Sequence, residues 1–199
     1  MKKTALLLVL IIMLVPVALT AKLSTSVDES FSLPFLLTSA GQGTGSKMLR
    51  VLLNLEGTFE YGKDYYLEDE PEERLMEIES GKYRTLVAVI GISDKGLAAS
   101  GISLKEEIEN LEKLIDEAEE NGVGIVTVYL ENYKKSTEEL YSNNNMIIDL
   151  LCPESEWIFY RKGSSLKKQF DDIGKQHGIG VSRFDSVNDF VGILTDIFN

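Results

Sequence analysis

Seven consecutive residues, Leu86–Ile92, are apolar without a break. A run that short is a strand rather than a helix, and a strand without a polar face is covered on both sides. Such strands belong in the middle of a parallel sheet flanked by its own crossover helices. Ile125–Leu130, interrupted only by Thr127, reads as another central strand, and helical patterns lie before, between and after the two. Ser103-x-x-Glu106 has the form of a capping box. The helix it opens places Ile108, Leu111, Leu114, Ile115 and Ala118 on one face and stops at Gly122. Weaker strand signals fall at Pro34–Thr38, Thr58–Tyr61, Trp157–Tyr160 and Val181–Phe184. Further helices are predicted over Ser46–Glu56, with Met48, Leu49, Leu52, Leu53 and Leu55 inward, and from Pro71 to Glu79. Others run from the capping pattern Ser136-x-x-Glu139 to just before Pro153, over Ser165–Gln176, and over Val187–Phe198. Strands alternating with helices make βαβ units with right-handed crossovers. The expectation is an α/β fold: a three-layer, doubly wound, mainly parallel sheet of Rossmann-like or flavodoxin-like type. Its strand order should begin 2-1-3-4-5, with the sixth strand beside the fifth.

The first 21 residues stand apart. Met1-Lys2-Lys3 is a short basic start, Thr4–Ala21 carries no charge, and Pro16 interrupts the apolar stretch before Leu19-Thr20-Ala21. That is the pattern of a secretory signal peptide. Eighteen uncharged residues with a proline fall just short of the roughly 20 that a spanning helix needs, so an N-terminal anchor is the alternative. Residues 22–33 read as a polar tether and 34–199 as one domain. The expected location is therefore secreted or extracytoplasmic, with the membrane reached only through an uncleaved residue 4–21 segment.

The whole chain of 199 residues carries −12, and loss of Lys2 and Lys3 would take it to −14. Nucleic acid and anionic lipid surfaces both ask for a basic face, so neither is an expected partner. Cys152 is the only cysteine and His177 the only histidine. A disulfide framework and a structural zinc site are thus excluded. Cys152 ends an apolar run and is expected to be buried; His177 is expected to serve a helix end. The acidic run Glu68–Glu73 around Pro71 lacks the alternating oxygen ligands and central glycine of a calcium loop, and reads as a solvated helix start.

In an open α/β sheet, ligands bind at the carboxyl ends of strands where the strand order reverses. Here that point lies between strands one and three, and both are followed by glycine-rich loops. In the first, Ser39-Ala40-Gly41-Gln42-Gly43-Thr44-Gly45, backbone N–H groups and a helix start could meet an anion. It lacks the spacing of a Walker loop and of a dinucleotide fingerprint. In the second, Gly91–Gly101, Ser93 offers a hydroxyl, Lys95 a cation, and Gly96 close approach. The candidate ligand-binding residues are Ser39, Gly41, Gln42, Gly43, Thr44, Ser93, Lys95 and Gly96. Lys95, Lys134, Lys135, Arg161 and Lys162 all follow strands on the same rim, which would focus a small anionic ligand there. No catalytic residue and no cofactor can be assigned from these patterns.

The segments Leu37-Thr38-Ser39-Ala40-Gly41-Gln42 and Gly91-x-Ser93-x-Lys95-Gly96-Leu97-x-Ala99-x-Gly101-Ile102 resemble those of a domain-of-unknown-function family of bacterial exported proteins. The likeness runs from Pro34 to Phe198. It implies an exported Rossmann-like domain and carries no substrate with it. Three functions stay open on the sequence: a binding module for a small anionic ligand, a hydrolase or transferase using the same crevice, and a protein-interaction domain whose glycines are purely structural. Oligomeric state is open as well.

Overall fold

The computed structural model describes residues 31–131 and 138–198, the side chains of 138–142 excepted. Six strands form one sheet: β1 Phe35–Ala40, β2 Tyr65–Leu67, β3 Thr85–Ile90, β4 Gly124–Tyr129, β5 Trp157–Arg161 and β6 Gly180–Phe184. Their order is 2-1-3-4-5-6 and every pairing is parallel, as the apolar runs predicted. The helices are α1 Gly45–Glu56, α2 Pro71–Glu79, α3 Asp94–Ala99, α4 Leu104–Glu120, α5 Glu138–Leu151, α6 Lys167–His177 and α7 Val187–Phe198. A 3-10 turn at Cys152–Glu154 follows α5.

Alternation along the strands sorts the core into two layers. Leu36, Ala40, Leu86, Ala88, Ile125, Ile158 and Tyr160 point to one side, where Ile78 of α2, Leu111 and Leu114 of α4, Ile147 of α5 and Phe170 of α6 cover them. Phe35, Leu37, Val87, Val89, Val126, Val128 and Phe159 point to the other, under Leu49 and Leu53 of α1 and Phe190 and Leu194 of α7. β1 and β3 are neighbours over their full length, Leu36 beside Leu86 and Ala40 beside Ile90. Both ends of the described chain join the second layer: the Phe31 and Phe198 rings lie 6.4 Å apart, and Phe198 stacks on Phe35 at 4.8 Å.

Three expectations are corrected. The second strand is not Thr58–Tyr61 but Tyr65–Leu67. Phe59 is instead a buried plug against Phe35 and Phe198, and Gly62 at φ 88° turns the chain before the strand begins. The inward face of α1 is narrower than predicted: Leu49 and Leu53 are buried with Ser46, whereas Met48 and Leu55 join Val51 at the surface. Finally, the second glycine-rich segment, Gly91–Gly101, is not an open loop throughout, since Asp94–Ala99 is helical. The Ser93 hydroxyl accepts the Gly96 N–H and caps the short helix α3. The Ser103–Glu106 capping box is present in both directions at α4. The Ser136 cap lies outside the described residues.

Candidate functional site

The carboxyl end of β1 is held by charged side chains that are themselves buried. Arg74 of α2 and Glu107 of α4 are both 0% exposed and form an ion pair, Nη2 to Oε2 at 3.0 Å. Arg74 Nη1 also donates to the Ser39 carbonyl at 2.9 Å, and Glu107 Oε1 accepts the Gly41 N–H at 2.9 Å. Asp69, between β2 and α2, accepts the Ser39 N–H at 2.8 Å and the Ser46 hydroxyl at 3.2 Å. The Lys47 ammonium stands 3.6 Å from the same carboxylate. Gln42 donates from Nε2 to the Asp69 carbonyl and accepts from the Ser100 hydroxyl. Each buried charge is thereby paired, the condition under which such groups are tolerated, although Arg74 Nε has no hydrogen-bond partner among the described residues.

This scaffold presses the two glycine-rich segments together. The Ser93 N–H donates to the Gly41 carbonyl, and Gln42 bridges to Ile92. A Cβ on Gly43 would stand 2.3 Å from the Gly91 carbonyl oxygen, and one on Gly96 only 2.0 Å from that of Gln42. Backbone fills the space between Gly41–Gly43 and Gly91–Gly96 that the sequence assigned to a ligand. Ser39 is 1% exposed, Ser93 serves as a helix cap, and the Lys95 side chain is at the surface of α3. Thr44 has a different setting, on the far side of the loop.

There, Thr44, Gly45 and Met48 at the start of α1 face Ile90, Leu130, Glu131 and Arg161 at the ends of β3, β4 and β5 across a cavity of 260 Å³. The cavity lies on the predicted rim but one to two strands beyond the β1–β3 junction. Gly45 must be glycine for α1 to begin so close to the sheet, because a Cβ would meet Val89 Cγ1 at 2.6 Å. Thr44 makes no side-chain cap and the first turn of α1 holds no acid of its own, but the buried Asp69 carboxylate bonds Ser46 in that turn. The guanidinium of Arg161 has its Nε buried, with no hydrogen-bond partner among the described residues. Of the other rim cations, Lys162 pairs with Asp185 at 2.9 Å, and Lys134 and Lys135 lie outside the described residues. Cys152 is fully buried and burial pushes its thiol well above the usual range, so it is no nucleophile. His177 closes α6 ahead of the left-handed Gly178.

A family model described as a domain of unknown function, DUF6305, matches residues 32–198. The chain belongs to the DUF6305 family. No curated protein matches it. Among solved structures it is similar to the psychrotrophic esterase EstA from Pseudoalteromonas sp., inhibited by monoethylphosphonate. The identity is 9% and the TM-score 0.33, over 85% of this chain and 94% of that one. A likeness that slight carries nothing about activity.

Sequence reasoning about this DUF6305 chain missed Asp69, Arg74 and Glu107. A signal for two of them exists. Arg74 lies on the buried stripe of α2 with Pro71 and Ile78, and Glu107 on that of α4 with Leu111 and Leu114. Opposite charges on the apolar stripes of two helices point to a buried pair. Asp69 offered no such pattern, being one acid in a run of acids.

Proposed function

We propose that this DUF6305 domain is a binding module that holds a small anionic molecule at the carboxyl ends of its strands, in the cavity between the start of α1 and the ends of β3–β5. Arg161 carries the reading. Its guanidinium is the cation among the described lining residues, and its planar fork suits an anionic group. The hydrolase or transferase alternative has less behind it: among the described lining residues Thr44 is the only hydroxyl, and neither His nor Cys is present.

Arg161→Met should weaken anion binding by roughly 10- to 150-fold, the worth of a charge-assisted hydrogen bond of about 1.5–3 kcal/mol. Folding stability should stay within about 1 kcal/mol, because the change removes an unpaired buried donor and keeps apolar bulk. A thermal-shift screen of carboxylates, phosphates and sulfates against both proteins measures the two effects together. Equal ligand-induced shifts in wild type and variant would remove Arg161 from the site.

We also propose that the domain works outside the cytoplasm, on the strength of the basic start, apolar core and Pro16 of the leader. N-terminal sequencing of the exported protein should begin just after Ala21. An intact Met1 on membrane-bound protein would instead favour the anchor.

A further inference from the structure

We propose that the free edge of β6 takes up an extended peptide strand in which an aliphatic side chain is flanked by acidic ones. Backbone polarity gives the first argument. The Gly180 N–H donates to the Glu156 carbonyl, and the Phe184 carbonyl accepts the Lys162 N–H. Gly180, Ser182 and Phe184 therefore turn their backbone groups toward β5, and Val181 and Arg183 turn theirs away from it. No strand lies beyond β6 among the described residues. A row of outward N–H and C=O groups is a template for a further strand. The opposite edge is blunted by its length, since β2 has three residues. β6 has five, contains no proline, and keeps an unbroken register with β5.

An added strand draws affinity from the main chain and specificity from pockets for its alternate side chains. One such pocket adjoins this edge. Gly174 of α6, Ile179 and Val181 form the apolar wall of a 240 Å³ cavity, and Asp171 and Lys175 complete its lining. Gly174 lets α6 lie this close, because a Cβ there would stand 2.3 Å from Val181 Cγ2. A side chain placed beside Val181 on the same face of the sheet meets this wall. Charge gives the second argument. The Asp171 carboxylate is already engaged by the Lys167 ammonium and by the Tyr160 hydroxyl at 3.1 Å. Those two groups and, at longer range, Arg183 hold it below the usual carboxylate range. Lys175 and Arg183 are exposed, and neither forms an ion pair among the described residues. Arg183 follows Val181 on the same face of β6, so an acid two residues from the aliphatic side chain lies opposite it. An acid on each side serves either strand direction. Two copies of this edge would bring the same cations together, which disfavours pairing of the chain with itself.

The test is an amide hydrogen-exchange and NMR titration of the full chain with the synthetic peptide Ser-Glu-Thr-Val-Thr-Glu-Ser. The Val181 and Arg183 amides should exchange freely without peptide and become protected with it. Alternate residues of an added strand face its neighbour, so N-methylation at the peptide's Val or at an adjoining Thr should differ: one abolishes binding and the other leaves it within about twofold. Replacing both Glu by Lys in the peptide should weaken binding by about tenfold, and Lys175→Glu with Arg183→Glu should invert that preference. Arg183→Pro deletes an N–H that points away from the sheet, so the chain should stay folded while peptide binding is lost. Arg161→Met should leave all of these values as they are, which separates this edge from the cavity at the ends of β3–β5. Equal effects of the two N-methyl groups, or exchange at Val181 and Arg183 that ignores the peptide, would overturn the strand site. Equal binding of the Glu and Lys peptides would overturn the acidic partner. A concentration-dependent dimer that protects the same amides without peptide would overturn the proposal by giving the edge to a second copy.

Discussion

Glu107→Ala should cost about 3–5 kcal/mol of folding stability, the range for removing one partner of a buried ion pair. Arg74 and Glu107 are both fully buried, so solvent screens neither. The variant strands the Arg74 guanidinium in the core and leaves the Gly41 N–H without its acceptor. The reverse change, Arg74→Ala, should cost a similar amount, since it strands a carboxylate and frees the Ser39 carbonyl. The double variant Arg74→Met with Glu107→Leu should recover much of the loss, because two apolar groups of similar volume remove both desolvation penalties at once. Recovery should stay incomplete, since the Gly41 N–H still lacks an acceptor. Urea unfolding of the four proteins measures this as a shift in midpoint at constant slope. A Glu107→Ala cost under 1 kcal/mol would mean that water reaches the pair in solution.

Gly96→Ala should destabilise by about 3 kcal/mol, at the upper end of the range for overpacking. The added methyl would lie 2.0 Å from the Gln42 carbonyl oxygen, and that oxygen belongs to backbone. Gln42 is at φ 59° and is tied to Asp69 and Ser100, so it has little freedom to withdraw. Gly43→Ala meets the Gly91 carbonyl at 2.3 Å and should behave alike. Gly192→Ala is the contrasting case. It sits inside α7 with nothing within 4 Å of the added methyl. That substitution should stabilise by about 0.4–1 kcal/mol through the unfolded chain and helix propensity. Thermal unfolding in which Gly96→Ala and Gly192→Ala moved the midpoint in the same direction would contradict the packed junction between the loops.

The central sheet was legible because its strands are apolar on both faces. Leu86–Ile90 and Ile125–Tyr129 have no solvent side, and that alone places them in mid-sheet. The α4 start was legible because Ser103 and Glu106 bond each other's backbone across one turn. The edge strand was not. β2 has three residues and one neighbour, so Tyr65–Leu67 carries too little pattern to outrank Thr58–Tyr61. The candidate site was half legible. The rim and its cations followed from strand polarity, and Arg161 and Thr44 reach the cavity. The glycines misled because close approach to a ligand and close approach to another loop need the same missing Cβ. Only the partner atom, Gln42 oxygen for Gly96 and Gly91 oxygen for Gly43, separates the two uses, and spacing in one chain does not encode it.

The meeting of Phe31 and Phe198 has an architectural consequence. In an all-parallel sheet the entry to β1 and the exit from α7 share one pole of the molecule, and the strands' carboxyl ends share the other. Six-residue strands set the two poles about 20 Å apart. Chain leaving the described domain at residue 31 or 198 leaves it on the hemisphere opposite the cavity. A permuted chain joining residue 198 to residue 31 by a short linker would keep the cavity's walls uncut.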